Sequence, residues 1–389
     1  MNQAVPVAAS VADVFRIDRF ARADEELLDQ LDEFIAAMRA QKPYVLGYPG
    51  NLDFDYRRLG GLLGILSNNV GDPGSYEYPA AGSKAMERAV VEFMTQLANG
   101  DPYETYGYVA SGGTEANQFG LDRGCTLLPA AKIYCSAAAH YSIRKNARLM
   151  RKPLVVIPSD YTGRMDVDAL AHQCRQEHGR GAVVVATIGT TMTGAIDDVG
   201  AIAAAAAHAG EVYIHADAAL SGLILPFTPW RNTWGFGHRD VGSIAISAHK
   251  LLGMPVPCAL ALCRWEFVDP QVEGEYVGVT DATLGCSRSG LASALIWYSL
   301  ARKGATGLAR NAHQALDTAE YAAGRLDEAG LHPILLSASI TVTFDRPDEW
   351  ICHKYHLATE GDRAHIVTVP HVTESVIDEM CLDIIGSRP

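Results

Sequence analysis

Ser243-Ile244-Ala245-Ile246-Ser247-Ala248-His249-Lys250 starts as a short apolar run and ends in hydroxyl, imidazole and ammonium groups. Ser243–Ile246 reads as a buried strand, bounded as parallel-sheet strands are. Lys250 then precedes apolar Leu251-Leu252-Gly253, so it is placed at the end of a strand and not on a solvated face. Partial desolvation there lowers the pKa of an amine and turns it into a usable nucleophile.

Similar runs lie upstream and downstream. Tyr106–Ala110, Lys132–Cys135, Leu154–Ile157, Ala182–Thr187, Val212–His215 and Ala259–Cys263 are short and apolar, with polar or glycine borders. Helical spacing of apolar residues covers 24–40 and 83–98, and helical stretches fall at Tyr141–Met150, Asp166–Glu177 and Ala201–Ala209. Alternating strands and helices predict an α/β fold, with a mostly parallel central sheet covered on both faces. Near Ser289 the pattern changes. Helices at Ser289–Arg302 and Leu308–Ala329 lead to strand-like Ile340–Phe344 and Ala364–Val369, with a short helix at Asp348–Tyr355 and a last one at Ser375–Ile385. The expected division is an arm and helix at 1–45, a large domain at 46–288 and a small α+β domain at 289–389.

Composition narrows the function classes. The 389 residues carry a formal charge of −13, and no basic run interleaved with aromatics occurs, which argues against nucleic-acid binding. Ala201–Ala209 is too short to cross a bilayer, and Val5–Ala12 lacks the basic leader of an export signal. Residues 1–20 read as a loose or partner-clasping arm, and the expected location is the cytoplasm. Eight scattered cysteines without CxxC or zinc spacing read as buried reduced thiols, and no metal site is expected.

Four further segments fall at expected strand ends, where open α/β sheets bind ligands. Ser111-Gly112-Gly113-Thr114 opens a helix and can direct N–H groups and hydroxyls at a phosphate, although a plain helix cap would look the same. His140 can stack on a flat ring, or simply cap the helix that follows. Thr187-Ile188-Gly189-Thr190-Thr191 suits close approach of a ligand, or a turn. Asp217, among Ala216, Ala218 and Ala219, needs a cationic partner, either a protonated ring nitrogen or a nearby arginine. A phosphate cradle, a stacking imidazole, a buried acid and a reactive lysine are together the parts that pyridoxal 5'-phosphate requires.

At these residues the sequence resembles the group II pyridoxal-phosphate decarboxylases of fold type I, in particular bacterial histidine and plant serine decarboxylases. The resemblance runs from about Gly47 to Val372. It rests on Gly47-Tyr48-Pro49, Asn68-Asn69, Gly112-Gly113-Thr114-Glu115, His140-Tyr141-Ser142, His215-Ala216-Asp217-Ala218-Ala219 and Glu360-Gly361-Asp362 in this order and spacing. It implies a seven-stranded type of central sheet and a homodimer with its active sites at the interface. Lys250 would carry the cofactor as a Schiff base, Asp217 would face its ring nitrogen, and His140 and Ala219 would cover the two ring faces. Ser111, Gly112, Gly113, Thr114, Ser247 and His249 would surround the phosphate, with Ser287 reaching in across the interface. Thr190 would lie near the ring hydroxyl, and Tyr48, Asn51 and Asp72 would shape the substrate pocket.

Three departures bear on the substrate. Ala248 stands where the family has glycine, and its methyl is expected to shift the loop or narrow the pocket. Ser289 and Leu291 replace an asparagine and a histidine, and Tyr76–Ala81 differs from both relatives. The leading expectation is α-decarboxylation of a small polar amino acid, histidine before serine, to carbon dioxide and an amine. The alternatives keep the cofactor: an aminotransferase, an aldehyde-forming oxidative decarboxylase, or decarboxylation of an unusual amino acid. A non-enzymatic partner subunit would have lost Lys250 or Asp217, and both are present.

Overall fold

The computed structural model describes residues 15, 17, 19–75, 82–269 and 278–387. Most of the arm expected at 1–20, and the departing Tyr76–Ala81 segment, lie outside the described residues. Helix α1 covers Asp24–Gln41, strand β1 Asn68–Val70, helix α2 Lys84–Leu97 and strand β2 Thr105–Ala110. Alternation follows: α3 Gly113–Leu127, β3 Lys132–Ser136, α4 Tyr141–Leu149, β4 Leu154–Ile157, α5 Val167–Gln176, β5 Ala182–Thr187, α6 Val199–Ala206 and β6 Val212–Asp217. Strands β7 (Val241–Ser247), β8 (Ala259–Arg264) and β9 (Ser287–Ser289) precede the long helix α7, Gly290–Glu328. The chain ends with β10 Ile334–Leu335, β11 Thr341–Asp345, α8 Glu349–Lys354, β12 Ala358–Glu360, β13 Arg363–Val367 and α9 Glu374–Gly386.

The central sheet has seven strands in the order β2-β8-β7-β6-β5-β3-β4. Only β8 runs antiparallel to its neighbours. Strand β5, Ala-Val-Val-Val-Ala-Thr, is buried along its whole length, as a central strand covered on both faces should be. Each such buried valine contributes about 1.5–3 kcal/mol relative to exposure. Helix starts follow the polar caps: Asp166 accepts from Asp168 and Ala169 N–H, Asp198 from Ala201, and Ser289 from Ala292. The parallel strands therefore all deliver their C-terminal ends to one edge of the sheet.

A second, antiparallel sheet runs β10-β11-β13-β12. The two helices expected at 289–302 and 308–329 form one element broken at Gly304, whose φ of 57° suits glycine. The entry segment ties the two sheets together. Val367 N–H donates to the Leu46 carbonyl at 2.8 Å, and Gly47 N–H donates to that of His356 at 3.2 Å. A Cβ on Gly47 would lie 2.2 Å from Ala358 N, so only glycine allows this crossing.

Every cysteine except Cys286 is buried, and none is bridged. No described helix is long and apolar enough to cross a membrane.

Candidate active site

The C-terminal ends of β2, β5, β6 and β7, with the loop after β3, border one crevice of about 550 Å³. From β2 come Ser111, Gly112, Gly113 and Thr114, and from the loop after β3 comes His140. Asp217 ends β6 and Ala219 follows it, while Ser247 ends β7, with His249 and Lys250 after it. Tyr48 closes one side. Asp217 is the last residue of β6, which extends two residues past the expected end at His215.

Four expected residues sit elsewhere. Thr190 is buried in its turn: its Oγ1 lies 2.7 Å from that of Thr193 and accepts from Ala195 N–H at 2.9 Å. It lines an adjoining cavity of about 460 Å³ that shares His140, Tyr141 and Thr191 with the crevice. Gly189, at φ 104°, turns the backbone so that Gly189 and Thr191 border the crevice and Thr190 does not. Asn51 braces the lysine turn: its N–H donates to the Lys250 carbonyl at 2.9 Å and its Nδ2 to that of Leu251 at 3.1 Å. Asp72 accepts from Tyr106 Oη at 2.6 Å and from Ala282 N–H at 2.8 Å, beside a separate cavity with Arg88 and Trp265. Ser287 is exposed on β9, where it accepts from Asn68 Nδ2, and it does not reach its own chain's crevice.

Ala248 does not narrow the crevice. It is 1% exposed, it belongs to the hydrophobic core, and its N–H donates to the Cys258 carbonyl at 3.0 Å.

Burial dominates the electrostatics. It lowers the Lys250 pKa, and the negative charge of Asp217 partly opposes this. Burial also lowers His140, again opposed by Asp217 and reinforced by Lys250, so its ring is biased toward the neutral form. Among the described residues the Lys250 amine has no hydrogen-bond or ion-pair partner. That amine is available to form a bond.

Asn117, Ser142, His215 and Ser243 were given no role from the sequence. Asn117 Nδ2 donates to Asp217 Oδ2 at 3.0 Å and to Ser142 Oγ at 3.1 Å, while its Oδ1 faces His215 Nε2 at 3.0 Å. His215 Nδ1 lies 2.8 Å from Ser243 Oγ. A signal did exist: His215 and Asp217 are two residues apart on one strand, so they share a face.

Two buried histidines set a pH dependence. Burial pushes both His215 and His365 down to about 4 from 6.5. Between those values the unfolded chain binds protons that the folded chain does not. Stability is therefore complete above pH 6.5 and falls as pH drops toward 4, by about 1.4 kcal/mol per pH unit for each proton. Denaturant unfolding at pH 7, 6 and 5 measures this slope, and a flat profile would contradict it.

Comparison with known proteins identifies the lineage. Residues 122–344 match the pyridoxal-dependent decarboxylase conserved domain. The histidine decarboxylase of Vibrio campbellii is 35% identical over 373 residues, covering 93% of this chain and 96% of that one. The chain belongs to the pyridoxal-dependent decarboxylases. Histidine decarboxylase of Morganella morganii, also 35% identical, covers 92% of this chain and 96% of its own. In fold the chain is similar to L-methionine decarboxylase from Streptomyces sp. 590, with a TM-score of 0.88 at 22% identity over 96% of this chain and 97% of that one.

The cofactor of this decarboxylase family is pyridoxal phosphate, the enzyme class is carboxy-lyase, and the residues fit that cofactor. Gly113 leaves the phosphate end open, since a Cβ there would lie 2.9 Å from Ser247 Oγ. The N–H groups at the start of α3 suit an anion. A lysine amine unpartnered among the described residues and a buried carboxylate face the same crevice.

Proposed function

We propose that this decarboxylase acts on L-histidine, releasing carbon dioxide and the corresponding amine. The observation that carries the reading is the near full-length match to two bacterial histidine decarboxylases. The burial of Ala248 supports it, because the one departure beside the lysine leaves the crevice lining unaltered.

Pyridoxal phosphate, when bound, supplies a sink for the electron pair left as carbon dioxide departs. The chain's own residues prepare the site. Lys250 would hold the cofactor covalently, and burial favours its neutral, nucleophilic amine. Asp217 would meet the ring nitrogen with a carboxylate that accepts from Asn117 and from Ala219 N–H. His140 would stack on one ring face and Ala219 would pack on the other. Ser111 to Thr114, Ser247 and His249 would hold the phosphate. His249 Nδ1, 2.9 Å from the Cys258 carbonyl, is anchored by it. Asn51 and Asp72 act in support of the backbone and not on substrate.

The active protein is a homodimer in this reading. Helix α1 has no buried residue and leaves Leu28, Leu31, Phe34 and Met38 exposed, a row that a second copy would cover. A neighbouring subunit would also bring Ser287 to the phosphate. Sedimentation should give twice the 41.8 kDa chain mass.

A screen of the common amino acids for carbon dioxide release tests the substrate. Histidine should exceed every other substrate in kcat/KM by at least about tenfold, roughly the discrimination that a few specific pocket contacts provide. Preferred turnover of serine would overturn the assignment, and a keto acid or aldehyde product would overturn the reaction.

A further inference from the structure

The buried network behind Asp217 has one consistent set of donors. A carboxylate only accepts, so the Asn117 amide must turn its Nδ2 toward Asp217. Its Oδ1 then faces His215 Nε2, which therefore carries the ring proton. Neutral His215 is left with Nδ1 as an acceptor, and Ser243 donates to it. Donors thus run Ser243 to His215 to Asn117 to Asp217, each bond polarising the next.

A branch reaches the other side of the crevice. The second Asn117 N–H points at Ser142 Oγ, leaving that hydroxyl to donate to His140 Nδ1 at 2.8 Å. Ser142 N–H donates to the same nitrogen at 3.3 Å. His140 must then carry its ring proton on Nε2.

Packing preserves the arrangement. Asn117, His215 and Ser243 are at most 2% exposed. A Cβ on Gly120 would lie 2.2 Å from His215 Nδ1 and 2.6 Å from Ser243 Oγ, so a glycine in α3 makes room for the pair. A hydrophobic side chain at 215 would fill this core without needing the two polar partners that His215 has.

We propose that Asn117 and His215 are positioning residues that hold the Asp217 carboxylate toward the cofactor ring nitrogen and fix the tautomer of His140. This rests on the reading of Asp217 as the partner of that nitrogen. His215 does not line the crevice, and its effect is transmitted through Asn117, which does.

The test compares two ligands on the full-length protein stripped of cofactor: pyridoxal phosphate, and its analogue with CH in place of the ring nitrogen. His215→Phe should weaken pyridoxal phosphate binding by about tenfold, the scale of one hydrogen bond to a charged group. Binding of the carbon analogue should stay unchanged. His215→Gln, which retains a donor to Asn117, should restore most of the affinity. Should His215→Phe fail to fold, Ser243→Ala makes the same comparison with a smaller selective loss. Equal weakening of both ligands would mean a merely structural role and would overturn the proposal, as would no weakening of either. Wild-type protein that binds both ligands equally would instead overturn the role of Asp217 itself, and the proposal with it.

Discussion

Lys250→Ala removes decarboxylation, lowering kcat by more than about a thousandfold, and leaves no cofactor covalently linked to the chain. The structure explains why this loss should be chemical and not a failure to fold. The lysine turn is held by main-chain bonds, from Asn51 N–H and Gly253 N–H to the Lys250 carbonyl, and by the Asn51 side chain on Leu251. None of these uses the amine. Truncation therefore leaves no buried partner unsatisfied among the described residues. Its effect on unfolding free energy should stay within about 1 kcal/mol, near the centre of the range for single substitutions, because only the packing of the methylene stem is lost. Absorbance of the borohydride-reduced, denatured protein and a denaturant melt check both halves. A variant that still carries cofactor covalently after borohydride reduction and denaturation, or that retains turnover, would show that another group holds the cofactor.

Asp217→Ala should lower kcat by about a hundred- to a thousandfold, the usual cost of removing one preorganised electrostatic partner of developing charge. Unlike the lysine, this carboxylate is part of a network, so truncation also strands the Asn117 amide and the Ala219 N–H. A stability loss of about 1–3 kcal/mol accompanies it. Asp217→Asn separates the two effects. The amide oxygen still accepts from Asn117 but not from Ala219 as well, so stability returns in part, while the negative charge toward the ring nitrogen does not. Steady-state kinetics beside thermal melts for both variants decide the matter. Full activity in Asp217→Asn would show that the charge is not used.

Most of the fold was legible because its signals are local. The run of valines in β5 and the apolar segments of β3 and β7 read as buried strands, that of β4 as an edge strand, and their bounds differ from expectation by two residues or fewer. The glycine pair, His140, Asp217 and Lys250 were legible as ligand-facing because each follows such a run. Thr190 was not, because φ at Gly189 decides which of two adjacent threonines borders the crevice. Asn51 and Asp72 share a segment with Tyr48 and a neighbouring turn, yet only contacts made by distant chain direct them at Leu251 and Tyr106. The short strands β1, β9, β10 and β12 have no periodicity of their own and exist through their pairing.

By itself the sequence determined that a reactive lysine, an acid, an imidazole and a glycine-rich turn end successive strands. Strand ends and their spacing are written in the chain, and parallel strands must deliver those ends to one edge. Only the tertiary structure decided which side chains face the crevice and what stands behind them. Lys250 is unpaired among the described residues, Asp217 is held by Asn117 with His215 behind it, and Ala248 points into the core. Those outcomes depend on backbone torsions in the turns and on packing between segments 100 to 200 residues apart, such as Asn117 with Asp217 and Asn51 with Leu251. No local pattern encodes them.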